Sequence, residues 1–524
     1  MRTLFSRIHW KQFSAFPWHS LLIALYAPLG LGAHNIGQTS AGSIVRAVIL
    51  SGMFAILLLL VCWLIRRNWQ MAGVVTTLCL ILFLTYGHLY NYISDLEVGG
   101  ILIGRHRYLV IVWVGLAVAG SLWAIRKSQK YSSLTSTLNL LSVFLLAMPV
   151  AQLAFYQWRS ASLPRPEVAD AQQTQVVSNL QTPANSQLRD VYYIILDAYG
   201  RSDILLDTLS YDNSRFLSSL ESMGFYVAEC AQSNYAKTDL SLSSSLNMAY
   251  LTALDPALTP ENTDRVPLWN LIKDNRVQGK FRSMGYATVA FETGFYFSQL
   301  NNLDIFYSPE RGGFNEFEIL YVRTTLLRLL DDAGWLRRFH YTPEDRKREL
   351  ILFDLAKLQE LPAMPGPKFV FAHLVIPHQP FVFGPDGEPL VIPEKVHKGQ
   401  TYYTERDYRL GYINQVKFIS DRISQVVKGI IENSAAAPII ILQGDHGPSH
   451  FDNTSRMGIL NAYYFPDANA ELYPRITPVN SFRLLFQTYF GEDLNLLEDV
   501  SYYSEYPEAY QFEIIPNQCQ AKPE

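Results

Sequence analysis

Five long apolar stretches crowd into the first 160 residues, at 16–36, 47–65, 71–90, 108–125 and 134–156. The second, AVILSGMFAILLLLVCWLI, and the fourth, YLVIVWVGLAVAGSLWAI, contain no charged residue. Each stretch approaches the length of about 20 helical residues that crosses a hydrocarbon layer of about 30 Å. Pro28 and His34 in the first and Pro149 in the fifth allow a kink or a re-entrant piece there. Five buried soluble helices so close together would leave almost no polar surface. The pattern therefore predicts a five-helix membrane bundle over residues 1–158.

Residues 159–190 are polar, contain proline and lack sustained periodicity, which is linker composition. Beyond them the period changes. VYYIIL (191–196), YATVAF (286–291), KFVFAHL (368–374) and APIIIL (437–442) read as buried strands. SRFLSSLESM, NLIKDNRVQGKFRSM and YINQVKFISDRISQVVKGIIEN read as the helices between them. Apolar strands alternating with amphipathic helices predict an α/β domain over 191–524, its mainly parallel sheet covered on both faces. In such sheets the site lies beyond the carboxyl ends of the strands.

Charge separates the two parts. Residues 1–160 hold 12 Lys or Arg against 2 Asp or Glu, and the remainder 31 against 45, so the parts carry about +10 and −14. An acidic domain argues against a nucleic-acid partner. Lys and Arg collect in alternate short loops: Arg2, Arg7, Lys11, Arg66, Arg67, Arg126, Lys127 and Lys130 on one side, Arg46, Arg105 and Arg107 on the other. Eight against three places the N-terminus in the cytoplasm and, after five crossings, the large domain outside. With no small-residue cleavage site behind a lone short apolar run, the first span is expected to be a retained anchor. His34 and His88 are the ionisable candidates inside the spans, without paired acids to make a transport relay. Cys62 and Cys79 lie in apolar runs, which leaves Cys230 and Cys519 to the soluble domain, either as a disulfide or as two free thiols.

Polar residues gather just after the predicted strands. Asp197 follows VYYIIL, His373 and His378 fall at and after KFVFAHL, and Asp445 with His446 follows APIIILQG. Two carboxylates with an imidazole suit a divalent cation such as zinc or manganese. Thr238, in SNYAKTDLSLSSSLNMAYL, stands where a polar turn gives way to a helix. A hydroxyl there sits in the positive end of the helix dipole, and contact with a cation would ease loss of its proton. Each residue also has an ordinary reading: Thr238 as a helix cap, Asp445-His446 as a turn, Asp197 as a cap, His373 as a core histidine. His450, four residues past His446, is a candidate for a second metal or for a substrate contact, with a solvated loop histidine as its ordinary reading, and His397 reads as surface.

The order of these residues resembles a known superfamily. Asp after the first strand, Thr at a helix start some 40 residues later, a PHQPF turn and GDHG after a late strand look like the sulfatase-type domain of the alkaline phosphatase superfamily. Its membrane-bound members, the lipoteichoic acid synthases and lipid A phosphoethanolamine transferases, similarly place five spans before the catalytic domain, so the resemblance covers essentially the whole chain. It implies that Asp197, Thr238, Asp445 and His446 hold the metal, that Thr238 becomes phosphorylated, and that His378, with His373 and His450, meets the substrate. It further implies a bacterial inner-membrane enzyme moving a phospholipid head group of the phosphoethanolamine or phosphoglycerol type to a glycan, a lipid or water. The chain departs in having Asp197 where those transferases have Glu, and in lacking evident second-metal histidines. The alternatives are a hydrolase of sulfate or phosphate esters on extracellular polymers and a non-catalytic anchored binding module. The stretch ECAQSNYAKT holds no CxPxR or SxPxR motif, which speaks against formylglycine sulfatase chemistry.

Overall fold

The computed structural model describes residues 16–36, 41–94, 96–99, 101–126, 131–162, 188–309, 315–336, 342–390, 392, 395–397, 400–467, 470–506 and 508–521. They form two compact units, Met1–Leu163 with Arg311–Thr342, and Pro164–Glu310 with Pro343–Glu524.

In the first unit each of the five apolar stretches lies on a helix: α1 (Trp18–His34), α2 (Ala41–Arg66), α3 (Trp69–Ile93), α4 (His106–Arg126) and α5 (Tyr131–Ser162). Four of them, α2 to α5, are long and apolar enough to cross a membrane among the described residues, one fewer than the sequence predicts. The difference is α1, whose 17 residues rise about 26 Å at 1.5 Å each. Ile111, Val114, Phe144 and Met148 stand out from α4 and α5 into the surroundings, an arrangement that costs little in lipid and much in water. Of the expected linker, 159–162 continue α5 and 163–187 lie outside the described residues.

The sequence reading carries one domain from 191 to 524, but the stretch 311–342 clusters with the membrane-type helices. Its helix Glu316–Thr324 opens with a capping box of Asn315 and Glu318. Asn315 donates to the Ser43 carbonyl at 3.1 Å, and Arg46 pairs with Glu318. The Leu326 amide donates to the Phe83 carbonyl at 2.8 Å. Gly87 of α3 permits this approach, because a Cβ there would lie 2.0 Å from the Arg323 carbonyl oxygen.

The second unit is built on a seven-stranded sheet. Its strands are β1 (Val191–Leu196), β2 (Tyr226–Val227), β3 (Ala287–Phe291), β4 (Ile305–Tyr307), β5 (Lys368–Leu374), β6 (Ile439–Gln443) and β7 (Asn461–Tyr464). The order is β2-β7-β6-β1-β5-β3-β4, parallel from β6 to β4 and antiparallel at the β7 and β2 edge, so the sheet is mixed. Alternation along β1 shows why every residue of the strand is apolar. Tyr192, Ile194 and Leu196 join one core, while Val191, Tyr193 and Ile195 join another on the opposite face. The first core is closed by α7 (Pro343–Glu360) and α8 (Glu405–Asn433), the second by α6 (Thr238–Ser245) and α10 (Pro478–Phe490). The predicted continuous helix over 270–284 is two helices, Val266–Lys273 and Arg276–Ser283, because Asn275 starts the second by capping the Gln278 amide. Cys230 and Cys519 are joined as a disulfide.

Candidate metal centre and nucleophile

The central strands β1, β5 and β6 run parallel, so their carboxyl ends share one edge, and the polar residues that follow them converge there. Asp197 is fully buried one residue past β1. Ala198 beside it holds φ +67°, a left-handed conformation that a non-glycine residue adopts at a cost of roughly 1–3 kcal/mol. The strain has an evident use: it turns the Ala198 amide onto Asp445 Oδ1 at 2.9 Å. The His446 amide donates to the same oxygen at 3.0 Å. Gly444 and Gly447, on either side of the Asp-His pair, lie so close to neighbouring backbone that a Cβ would meet the Tyr199 and Ser455 carbonyl oxygens at 2.5 and 2.3 Å. That close passage accounts for the glycines of GDHG.

With Asp445 Oδ1 occupied, Oδ2 points inward without a partner, and so do both oxygens of Asp197. His446 Nε2 stands 3.6 Å from Asp197 Oδ1 and 3.5 Å from Asp445 Oδ2. The Thr238 hydroxyl reaches His446 Nε2 at 3.2 Å. Thr238 is the first residue of α6, while the capping position belongs to Lys237, so the hydroxyl is free of a cap bond and faces the cluster. Ligand atoms of Asp197, Asp445 and His446 all fall within 4.8 Å of one another. Buried carboxylate oxygens without donors are costly unless a cation takes them up, so these residues fit a divalent metal. Bound there, it would neutralise the carboxylates and draw negative charge toward the Thr238 oxygen.

Electrostatics agree with that reading. Burial and the neighbouring Asp197 push the Asp445 carboxyl up to about 7. Burial also acts to raise Asp197, but His378, His373 and His446 outweigh it and hold that carboxyl below its ordinary range. Burial, reinforced by Arg456, keeps His446 well below the ordinary imidazole value, so it is neutral and able to ligate.

His373 lies on β5 with Nε2 3.3 Å from Asp197 Oδ2 and Nδ1 3.0 Å from the Ser298 hydroxyl, behind the carboxylate. His378 follows in the PHQPF turn, its amide donating to the Asp197 carbonyl at 3.0 Å and its ring centroid 6.2 Å from that of His446. His450 is exposed and stacks on Tyr408 with ring centroids 4.8 Å apart.

Several residues that no motif signals build the surroundings. Gln415 of α8 donates to the Pro377 and His378 carbonyls at 2.9 and 3.0 Å, and Lys347 of α7 donates to the His378 and Pro380 carbonyls. Ser233 donates to the Asp445 carbonyl at 2.5 Å. Arg456 brings its guanidinium to 3.2 Å from His446 Nε2. Nothing in the sequence singles out Lys347 or Arg456.

Fold and side chains together define an α/β domain with a buried group of ligands that could hold a cation and a helix-borne hydroxyl beside it, in a chain with four membrane-length apolar helices among the described residues. No family model matches the chain, and no curated protein matches it. Among solved structures it is similar to the C-terminal periplasmic domain of EcEptC from Escherichia coli in complex with Zn, at 13% identity over 63% of this chain and 92% of that one, TM-score 0.42. It is also similar to the integral membrane protein lipooligosaccharide phosphoethanolamine transferase A from Neisseria meningitidis, at 13% identity over 86% of this chain and 87% of that one, TM-score 0.33. A third similar structure is the 2-O GAG sulfatase BT1596, at 12% identity over 60% of this chain and 77% of that one, TM-score 0.39.

Proposed function

We propose that this protein is a membrane-anchored, metal-dependent phosphotransferase that moves a phospholipid head group, of the phosphoethanolamine or phosphoglycerol type, through a phospho-threonine at Thr238. The observation that carries the reading is the Thr238 hydroxyl, uncapped and 3.2 Å from His446 Nε2, beside three orphaned carboxylate oxygens. In the first step the Thr238 oxygen bonds to the phosphorus and the bond from phosphorus to the donor's alcohol oxygen breaks. That oxygen leaves with the electron pair and takes up a proton. In the second step the acceptor hydroxyl attacks the same phosphorus, loses its proton and releases Thr238. His378 would meet an oxygen of the substrate, a role supported by its ring lying 6.2 Å from that of His446. Zinc or manganese suits the ligand set of Asp197, Asp445, His446 and Thr238.

The disulfide removes Cys230 as a rival nucleophile and suits an oxidising, extracytoplasmic compartment. We take α1 as the fifth span, with the N-terminus in the cytoplasm of a bacterial inner membrane. Supporting that topology, the 315–336 stretch touches the start of α2, the end of α3 and the start of α4 through Ser43, Asn91 and His106, three ends that share the outer side in this arrangement.

The test is to purify the full chain in detergent, determine bound metal, and incubate wild type and Thr238→Ala with head-group-labelled phospholipids. Label on wild-type protein alone, with released diacylglycerol, supports the transferase. Label released to water without an added acceptor, or turnover of sulfate esters, favours the hydrolase. Neither metal nor Thr238-dependent turnover would leave the anchored binding module.

A further inference from the structure

Arg456 lies on the short helix α9 (Asn453–Met457), which starts from an Asp452 cap and is tied to the GDHG turn by the Gly447 amide donating to the Arg456 carbonyl at 2.7 Å. Its Nε donates to the Ala236 carbonyl at 2.8 Å, two residues before Thr238, which sets the plane of the guanidinium beside the nucleophile. Nη2 faces His446 Nε2 at 3.2 Å. Nη1 is closed off from solvent and has no hydrogen-bond partner. Arg456 as a whole is half-buried, and among the described residues no carboxylate forms an ion pair with its guanidinium.

The Nη2 contact is itself conditional. His446 Nδ1 lies 2.9 Å from the Gly447 carbonyl, so the ring proton sits on Nδ1 and Nε2 is the free lone pair. That lone pair is the one a cation needs. Once His446 ligates, it no longer accepts from Nη2, and both outer nitrogens of Arg456 lack an acceptor. A guanidinium left in that state is strongly unfavourable unless an anion arrives, and its two parallel donors match two oxygens of a phosphoryl group.

We infer that Arg456 is a substrate-contacting group, a bidentate clamp for two oxygens of the transferred phosphoryl, which stands in for a second cation at a one-metal site. Among the described residues one group of acidic and imidazole ligands could hold a metal, namely Asp197, Asp445 and His446. Part of the positive charge that the transferred group meets would therefore come from the chain itself. The inference rests on the phosphotransferase reading for its substrate, but it can be tested apart from turnover.

The experiment uses the full chain in detergent, loaded with zinc, and compares wild type with Arg456→Lys and Arg456→Ala. Three quantities are read: metal per chain, affinity for inorganic phosphate by calorimetry, and turnover of the labelled phospholipid with and without added guanidinium. Wild type is expected to hold one zinc. Arg456→Ala should hold the same zinc, bind phosphate more than about tenfold more weakly and turn over roughly 100- to 1000-fold more slowly, the loss typical of one preorganised donor on a transferred group. Arg456→Lys should fall between, and free guanidinium should restore part of the Arg456→Ala turnover. Unchanged phosphate affinity in Arg456→Ala overturns the inference. So does a loss that comes with metal loss and is not rescued by guanidinium, which would make Arg456 a prop for the Ala236 segment. If wild type binds phosphate through Arg456 yet turns over no phospholipid, the anion clamp stands and the transferase reading falls.

Discussion

Lowering the pH should weaken the metal centre through one identified group, Asp445. Its carboxyl is pushed up to about 7 by burial and by Asp197, whereas Asp197 is held below the ordinary carboxylate range and His446 well below the ordinary imidazole one. Just below pH 7 Asp197 is therefore ionised and His446, lowered by burial, neutral, both ready to ligate, while Asp445 carries a proton that a cation must displace. Above about 7 no proton is displaced and affinity should be flat. Below it each pH unit should cost up to about tenfold, so affinity at pH 5 should be about 100-fold weaker than on the plateau above 7, or about 2.7 kcal/mol. The measurement is a zinc competition titration of the full chain in detergent against a fluorescent chelator, repeated for Asp445→Asn. The asparagine variant should bind more weakly throughout and lose the slope, since its amide takes up no proton. A wild-type affinity that stays flat from pH 7 to 5, or an equal slope in Asp445→Asn, would refute the assignment of that proton.

Other substitutions separate the remaining claims. Thr238→Ala should lose roughly 10⁴-fold or more in turnover and all protein-bound label while keeping its metal, whereas Thr238→Ser, which retains a hydroxyl, should still be labelled; elemental analysis and phosphoprotein autoradiography read both. Cys519→Ser opens a loop spanning 289 positions and should destabilise the second unit by about 2–5 kcal/mol, seen as a lower denaturant midpoint that reductant reproduces in wild type. Gly87→Leu puts a Cβ 2.0 Å from the Arg323 carbonyl oxygen, an atom of backbone that cannot rotate away, so the 315–336 stretch should undock and trypsin should cut faster at Arg323 and Arg328.

Local pattern was enough for much of this architecture, and the reasons are physical. A charge-free run such as 47–65 has few fates other than a membrane-length helix, and α2 covers it. Strand β1 is apolar at every position because both faces of its sheet are covered, a condition that shows in six consecutive residues. Strand-end chemistry was visible for the same reason: in a parallel sheet, residues that follow different strands share an edge, so Asp197, His378 and Asp445 could be grouped before any distance was known.

Other features depend on neighbours that are remote along the chain. That α1 is shorter than the other four helices follows from where it begins and ends, at Trp18 and His34, which an apolar run over 16–36 does not state. The stretch 311–342 is apolar enough to suit a soluble core or a helical bundle, and packing against Ser43, Phe83 and Gly87 decided between them. The pairing of Cys230 with Cys519 was one of two options until folding brought the ends together. Arg456 marks the limit most clearly. In sequence it is one charged residue on a five-residue helix, and what sets it apart is an enclosed Nη1 without a hydrogen-bond partner, which exists only once the chain around it is packed. Hydrophobic period and strand order are carried by neighbours along the chain, so the sequence by itself determined the membrane and α/β halves and the edge where the chemistry gathers. Hydrogen-bond satisfaction is a property of the whole interior, so tertiary structure alone decided which of those polar groups were left without hydrogen-bond partners.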